Sequence, residues 1–160
     1  MEDSASHIEH GAFGPFVVSA ADKFIERMRE VAHTRPDDAV LLATRALRHD
    51  PNCIEAHIFL SKKAKTPELR LNHLQAAVDG GDKVWRQTAE EYGEDMSWWS
   101  YPGTRPYMQA IHALGEAHAE LGNPEAAKWC FERLLRMNPH DNQGVRFSLE
   151  ELEEENAPSM

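Results

Sequence analysis

The chain of 160 residues has few of the features that mark membrane, secreted or nucleic-acid-binding proteins. It has no apolar run approaching the roughly 20 residues of a membrane span, and its N-terminus lacks the basic start and apolar segment of a signal peptide. Only 17 residues are basic against 27 acidic ones, which gives a net charge of −10. This charge disfavours nucleic acid and anionic membranes as partners. We therefore expect a cytoplasmic protein whose partner is neutral or basic.

Motifs for catalysis and for metal binding are also missing. The two cysteines, Cys53 and Cys130, are far apart in the sequence, as is typical of buried thiols in a reducing compartment. The chain has no paired-cysteine or HExxH zinc motif, no GxSxG motif and no glycine-rich phosphate loop. His112 and Glu116 are four residues apart on one predicted helix, but that helix supplies no third ligand. We expect no enzyme activity, no cofactor and no metal site.

The segment from Tyr107 to Pro139 predicts a helical hairpin. Two runs with apolar residues at helical spacing are separated by the break at Gly122-Asn123-Pro124. Gly115 in the first run and Ala127 in the second run remove side-chain volume where the two helices must approach. The segment therefore predicts two amphipathic helices joined by a tight turn.

This segment resembles a tetratricopeptide (TPR) repeat, whose period is about 34 residues. The matching positions are Ile111, Leu114, Gly115, Gly122, Ala127, Phe131 and Pro139. Two positions depart from the pattern, because His118 replaces a tyrosine and Leu134 replaces a small residue. The resemblance implies an all-α stack of hairpins and a role in binding other proteins.

The same spacing extends over most of the chain and predicts one domain at residues 19–155. Its parts are hairpins at 20–51, 54–80 and 107–139, an aromatic insertion at 82–106 and a capping helix at 142–155. We expect the second hairpin to end at Gly80-Gly81. Val145, Phe147, Leu149 and Leu152 are expected to face inward from the capping helix. Residues 1–18 are expected to be a disordered arm and 156–160 a frayed tail.

The insertion concentrates large aromatic side chains, which are typical of binding hot spots. In one interpretation, Trp98, Trp99, Tyr101, Arg105 and Tyr107 form the wall of a pocket on the concave face of the stack, which the first helices line. In the other, Trp85, Trp98 and Trp99 fill the gap that the interrupted period leaves. The two interpretations are compatible.

A second resemblance covers about residues 85–148. The strings TRPYM at 104–108 and NPHDNQGVR at 138–146 are similar to those of a group of bacterial TPR proteins of undefined role and, more loosely, of the suppressor-of-tumorigenicity group of TPR-like proteins. The resemblance implies that Arg105, Tyr107, Asn142 and Arg146 share a site. Two guanidinium groups there would suit a carboxylate or phosphate. The structural alternative is that Asp141 caps the last helix and Arg146 pairs with a carboxylate.

The leading hypothesis for function is a protein-interaction module, either an adaptor or a client-specific chaperone, that holds a peptide or helix on the concave face. Its partner-binding residues would be Trp98, Trp99, Tyr101, Arg105, Tyr107, Asn142 and Arg146. The carboxylate clamp of chaperone-tail adaptors is absent, since Ile58, Phe59 and Lys62 and then His112, Ala113 and Glu116 stand at its positions. The alternative is a sensor or enzyme accessory that binds a small anionic ligand. The sequence leaves the oligomeric state open.

Overall fold

The structure is a computed structural model that describes residues 9–11, 14–16, 19–93 and 96–158. It confirms the all-α fold, since eight α-helices account for most of these residues. The helices are α1 (Ala20–Val31), α2 (Pro36–His49), α3 (Ile54–Lys63), α4 (Pro67–Val84), α5 (Arg86–Tyr92), α6 (Arg105–Glu120), α7 (Pro124–Met137) and α8 (Val145–Glu155). Within the described ranges, no helix combines the length and the apolar character needed to cross a bilayer.

Two short strands precede the helices. Strand β1 (Glu9–Gly11) pairs antiparallel with β2 (Gly14–Phe16), so that Glu9 lies opposite Phe16. The predicted arm at 1–18 and the end of the predicted tail at 159–160 otherwise lie outside the described residues. Helix α1 then begins with a capping box, in which the Ser19 hydroxyl accepts from the backbone N–H of Asp22 and the Asp22 carboxylate accepts from the backbone N–H of Ser19.

The helices pair as three hairpins, α1 with α2, α3 with α4, and α6 with α7. Successive hairpins stack because α3 packs on α2, α6 packs on both α3 and α4, and α8 packs on α7. The buried apolar side chains form two clusters, one within the first hairpin and the start of α3, the other from α4 to α8. Both predicted helices of each hairpin are therefore present, and the aromatic insertion adjoins the second cluster.

The close approach of α6 and α7 occurs at Gly115, as the sequence predicts. A Cβ atom at Gly115 would lie 2.5 Å from Cε1 of Phe131, well inside van der Waals contact. Ala127 is completely buried on the facing helix. Small residues at these positions thus allow the Phe131 ring to fill the space between the helices.

The predicted end of the second hairpin at Gly80-Gly81 is wrong, because α4 continues to Val84. Both glycines are buried inside the helix and serve packing. A Cβ atom at Gly80 would lie 2.6 Å from the backbone oxygen of Asn52, and one at Gly81 would overlap the ring of Tyr107. The two glycines therefore allow the backbone at Asn52, in the turn after α2, and the ring of Tyr107 to pack directly against α4.

The last helix is shorter than predicted and begins at Val145, after Gly144 in the left-handed conformation (φ 71°). Its first turn is capped by Asp141, which accepts hydrogen bonds from the backbone N–H groups of Val145 (2.7 Å) and Arg146 (3.0 Å). Val145 and Leu152 are buried as expected. The expected inward position of Phe147 is wrong, because 71% of this residue is exposed.

Candidate functional site

The aromatic insertion folds around Trp98. This residue is only 3% exposed, and its Nε1 donates to the backbone oxygen of Gly93 at 3.2 Å. Its ring makes edge-on contacts with those of Trp85 and Tyr107, with ring centres 6.4 Å apart in both cases. Thr104, in the second of two 3₁₀ turns (Trp98–Ser100 and Pro102–Thr104), holds the segment by donating to the backbone oxygen of Trp98. Trp98 thus fills the core beside α6.

Tyr107 joins this aromatic cluster to a partly buried ion pair between Asp82 and Arg133. The residue is 2% exposed, and its hydroxyl donates to Oδ1 of Asp82 while accepting from Nη2 of Arg133. The same Arg133 nitrogen also donates to Asp82 Oδ1 at 3.1 Å. The guanidinium carbon of Arg133 lies 5.5 Å from the ring centre of Tyr107 and 5.4 Å from that of Trp129. Arg133 therefore contacts two aromatic rings as a cation–π partner.

Burial and the hydrogen bond to Asp82 together raise the pKa of Tyr107 above its ordinary value of 10.0. The hydroxyl therefore stays protonated over the physiological range and keeps its role as donor. Because Arg133 is held by both Asp82 and this hydroxyl, its side chain has one preferred position. Charge-assisted hydrogen bonds of this kind are stronger than neutral ones.

A cleft of about 450 Å³ opens beside this group, and we call it the aromatic cleft. It lies between the end of α4, α5 and α7. Its lining residues are Asp82, Trp85, Arg86, Ala89, Glu90, Trp98, Tyr107, Trp129, Arg133, Arg136 and Met137. The cleft combines aromatic walls with three arginines, and its size is in the range of ligand pockets.

A second cleft of about 280 Å³ adjoins the first, and we call it the Asn138 cleft. Its lining residues are Met96, Ser97, Trp99, Ser100, Arg136, Met137, Asn138, Pro139, His140 and Asn142. Arg136 and Met137 line both clefts. The two clefts are therefore neighbours across one wall, and each of the four tryptophans of the chain lines one of them.

The structure distributes the residues predicted from the insertion over different environments. Trp98 and Tyr107 are buried and form the floor of the aromatic cleft, whereas Trp99 is half-buried in the Asn138 cleft. Arg105 donates from Nε to the backbone oxygen of Trp99 at 2.9 Å and lies 5.1 Å from its ring centre. Tyr101 is exposed and lines neither cleft. The filler interpretation thus describes Trp98 well, and Arg105 acts as a support for Trp99.

The residues predicted from the NPHDNQGVR string also separate. Asn142 is exposed in the Asn138 cleft. Arg146 lies outside both clefts and interacts with Asp141 (3.6 Å) and with the backbone oxygen of Pro139 (3.1 Å). Asn142 and Trp99 are the pair that shares a cleft. Of the four residues expected to share a site, Tyr107 lines the aromatic cleft, Asn142 lines the Asn138 cleft, and Arg105 and Arg146 line neither, so the common site stays a prediction. Asp141 and Arg146 have the roles of the structural alternative.

Sequence reasoning missed most of the lining of the aromatic cleft, including the three arginines Arg86, Arg133 and Arg136 and the exposed Trp129. Trp129 and Arg133 are four residues apart on α7, outside its buried face of Ala127, Phe131 and Leu134. Trp129 is 57% exposed. A tryptophan at a solvent-facing helix position, one turn before an arginine, is the signal that identifies Trp129 and Arg133.

Histidine, cysteine and carboxylate side chains are the usual metal ligands and catalytic groups. Across the described residues, no group of three or more His, Cys, Asp and Glu side chains is placed to hold a metal ion. His112 lies 3.3 Å from Glu116 and 3.0 Å from the hydroxyl of Ser148. Both thiols are buried, and burial raises the pKa of Cys130 to about 11. A thiol in this state is a poor nucleophile.

Sequence comparison with known proteins gives no family for the chain. No model of a protein family matches the chain, and no curated protein is similar to it in sequence.

Proposed function

We propose that the chain is a cytoplasmic TPR-type interaction module, an adaptor or client-specific chaperone, and that the aromatic cleft holds a segment of its partner. The support for a TPR-type stack is the set of three hairpins with Gly115 facing Phe131. The observation that supports a binding role is that Trp129 is exposed at the rim of the aromatic cleft. It lies next to Arg133, whose side chain is already held in one position. Tryptophan, tyrosine and arginine are the residues most enriched in binding hot spots.

This site differs from the surface of first helices that the sequence favours. In the cleft where α6 meets α8, four of the eight lining residues are glutamates, and Phe131 and Leu152 form its apolar side. Glutamate is depleted in the cores of interfaces, whereas the aromatic cleft has four aromatic side chains and three arginines. The composition therefore favours the aromatic cleft, on the side formed by α4, α5 and α7.

A selection from a random peptide library tests the proposal. Displayed 12-residue peptides would be selected on the wild-type protein and then measured against Trp129→Ser and Phe147→Ser. Phe147 is the matched control, because it is a still more exposed aromatic residue and lines none of these clefts. Both variants are expected to keep the wild-type circular dichroism and thermal midpoint.

Peptides that bind wild type and Phe147→Ser, but lose at least about tenfold in affinity on Trp129→Ser, would support the proposal. A tenfold loss corresponds to about 1.4 kcal/mol, the lower end of a hot-spot residue. Peptides that bind all three proteins equally, or the absence of any selected peptide, would refute it.

A small anionic ligand is the second candidate, since the volume of about 450 Å³ and three arginines also suit an aromatic acid. A thermal-shift titration with 1-naphthoate and indole-3-acetate tests it. A saturable shift that Trp129→Ser removes and Phe147→Ser retains would favour this candidate. No shift at millimolar concentration would count against it.

A further inference from the structure

The charge of the aromatic cleft is opposite to that of the whole protein. Its described lining has three cationic side chains, Arg86, Arg133 and Arg136, and two carboxylates, Asp82 and Glu90. The chain as a whole has a net charge of −10. A carboxylate that enters the cleft therefore meets cations, although most of the surface would repel it.

Arg133 has unused hydrogen-bonding capacity in this cleft. Both of its hydrogen bonds within the described residues come from Nη2, to Asp82 and Tyr107. A guanidinium has five N–H donors, and its planar edge matches the two oxygens of a carboxylate. The ion pair and the two rings already hold the side chain in place. A ligand carboxylate could therefore bind the remaining N–H groups of Arg133. This binding would cost little conformational entropy, because the fold already holds the side chain in one position.

Arg86 supplies a second cation, which has no counterion among the residues that the structure describes. It is exposed on α5, next to Trp85, and makes no ion pair with any carboxylate of the described chain. Even Glu90, one turn along the same helix, is not paired with it. Its charge is therefore available to a partner.

The Asn138 cleft provides a second place where a bound segment could make contacts, next to the aromatic cleft. Asn138 is 7% exposed, and its Nδ2 has no hydrogen-bond partner among the residues that the structure describes. An unpaired buried donor is costly, and a backbone carbonyl lying in this cleft would satisfy it once the amide turns outward. Since Arg136 and Met137 line both clefts, one extended segment can cross from the first to the second.

From these observations we infer that the partner segment is acidic and also carries an apolar or aromatic side chain. An apolar or aromatic side chain enters the aromatic cleft beside Trp85 and Trp98, and a neighbouring Asp or Glu side chain binds Arg133 and Arg86. The chain continues over Arg136 and Met137 into the Asn138 cleft, and we assign the carboxylate to the side chain of an internal Asp or Glu. This inference rests on the proposed function and specifies the chemistry of its partner.

The peptides selected above provide the test. Each would be resynthesised with blocked termini, in its selected form and with Asp and Glu replaced by Asn and Gln. Affinities would be measured by fluorescence polarisation on wild type, Arg86→Met and Arg45→Met. Arg45 is the matched control, an exposed arginine on α2 that lines neither cleft.

We expect replacement of the acids to weaken binding to wild type and to Arg45→Met by about 10-fold or more, the usual effect of a charge-assisted pair. On Arg86→Met the selected form should already be weaker, and replacing the acids should matter less. The binding of the acidic form should also fall as NaCl rises from 0.05 to 0.5 M.

Cleft-dependent peptides without acidic residues would overturn the inference while leaving the proposed function intact. So would peptides whose acids can be replaced with less than about twofold effect, or whose acid dependence is the same on Arg86→Met as on wild type. Loss of binding on blocking the C-terminus would show that a terminal carboxylate is recognised, which contradicts an internal residue. If no peptide depends on Trp129, the proposed function itself fails.

Discussion

The substitution Gly81→Ala gives the sharpest test of the packing beneath the aromatic cleft, because two effects of opposite sign compete. Within a helix, replacing glycine by alanine normally stabilises by about 1 kcal/mol. Here the added Cβ atom would lie 2.6 Å from Cε1 and 2.9 Å from Cγ of Tyr107, where carbon atoms prefer about 3.5–4.0 Å. The ring would have to move by roughly 1 Å to relieve this overlap.

Tyr107 has little freedom to make that movement. Its hydroxyl is bonded to Asp82 and Arg133, and its ring contacts Trp98. Overpacking of a core typically costs about 1–3 kcal/mol, and hydrogen bonds to charged groups contribute about 1.5–3 kcal/mol that a displaced ring would partly lose. These terms exceed the helix-propensity gain. We therefore expect Gly81→Ala to lower the free energy of unfolding by about 2–4 kcal/mol.

Urea unfolding followed by circular dichroism measures the effect. In a chain of this length, the thermal midpoint should also fall by about 2–4 °C per kcal/mol. The control is the same substitution in a Tyr107→Leu background, where the ring that causes the overlap is gone. There Gly81→Ala should be neutral or stabilising by up to about 1 kcal/mol. A neutral or stabilising Gly81→Ala in the wild-type background would refute the reasoning.

Three further predictions concern the last helix, the thiols and the buried hydroxyl. Asp141→Ala removes the cap of α8 at a residue with φ 53°, and should cost about 1–2 kcal/mol in urea unfolding, whereas Asp141→Asn, also a good cap, should cost much less. Cys53 and Cys130 should react with Ellman's reagent at least about 100-fold faster in urea than in native buffer, because both thiols are buried and burial raises their pKa values; equal rates would contradict their burial. Because folding raises the pKa of Tyr107 above 10.0, its stabilising contribution is complete below that pH and is lost as the pH rises toward the folded pKa. The unfolding free energy of wild type should therefore fall more steeply above about pH 10 than that of Tyr107→Phe, and parallel curves would contradict the shift.

The hairpins could be predicted from sequence because their signals are local. The break at Gly122 and the small residues Gly115 and Ala127 specify two helices and the place where they touch, and the structure has both. The same local reasoning failed at Gly80-Gly81, where a glycine pair usually indicates a helix end. Only the three-dimensional structure shows that the ring of Tyr107, 26 residues further along, occupies the space above Gly81.

The aromatic cleft was only half predictable. The concentration of aromatic residues in the insertion indicated Trp98 and Tyr107, and both line the cleft. Trp129 and Arg133 belong to a different hairpin helix, and nothing in the spacing of the insertion brings α7 to it. Their meeting depends on the long-range bonds from Arg133 to Asp82 and Tyr107, which sequence periodicity does not encode.

The net charge of the protein and the charge of the aromatic cleft favour different partners, and this difference leads to one more prediction. At physiological ionic strength charges are screened over about 8 Å, so a bound carboxylate senses Arg86 and Arg133 at contact and the distant glutamates only weakly. During approach, however, an acidic peptide is repelled by the net charge of −10. Raising NaCl from 0.02 to 0.15 M should therefore increase the association rate constant of an acidic selected peptide and also increase its dissociation rate constant. Stopped-flow mixing that monitors tryptophan fluorescence separates the two rates, and an association rate that falls with salt would show that the arginines, not the whole protein, govern the approach.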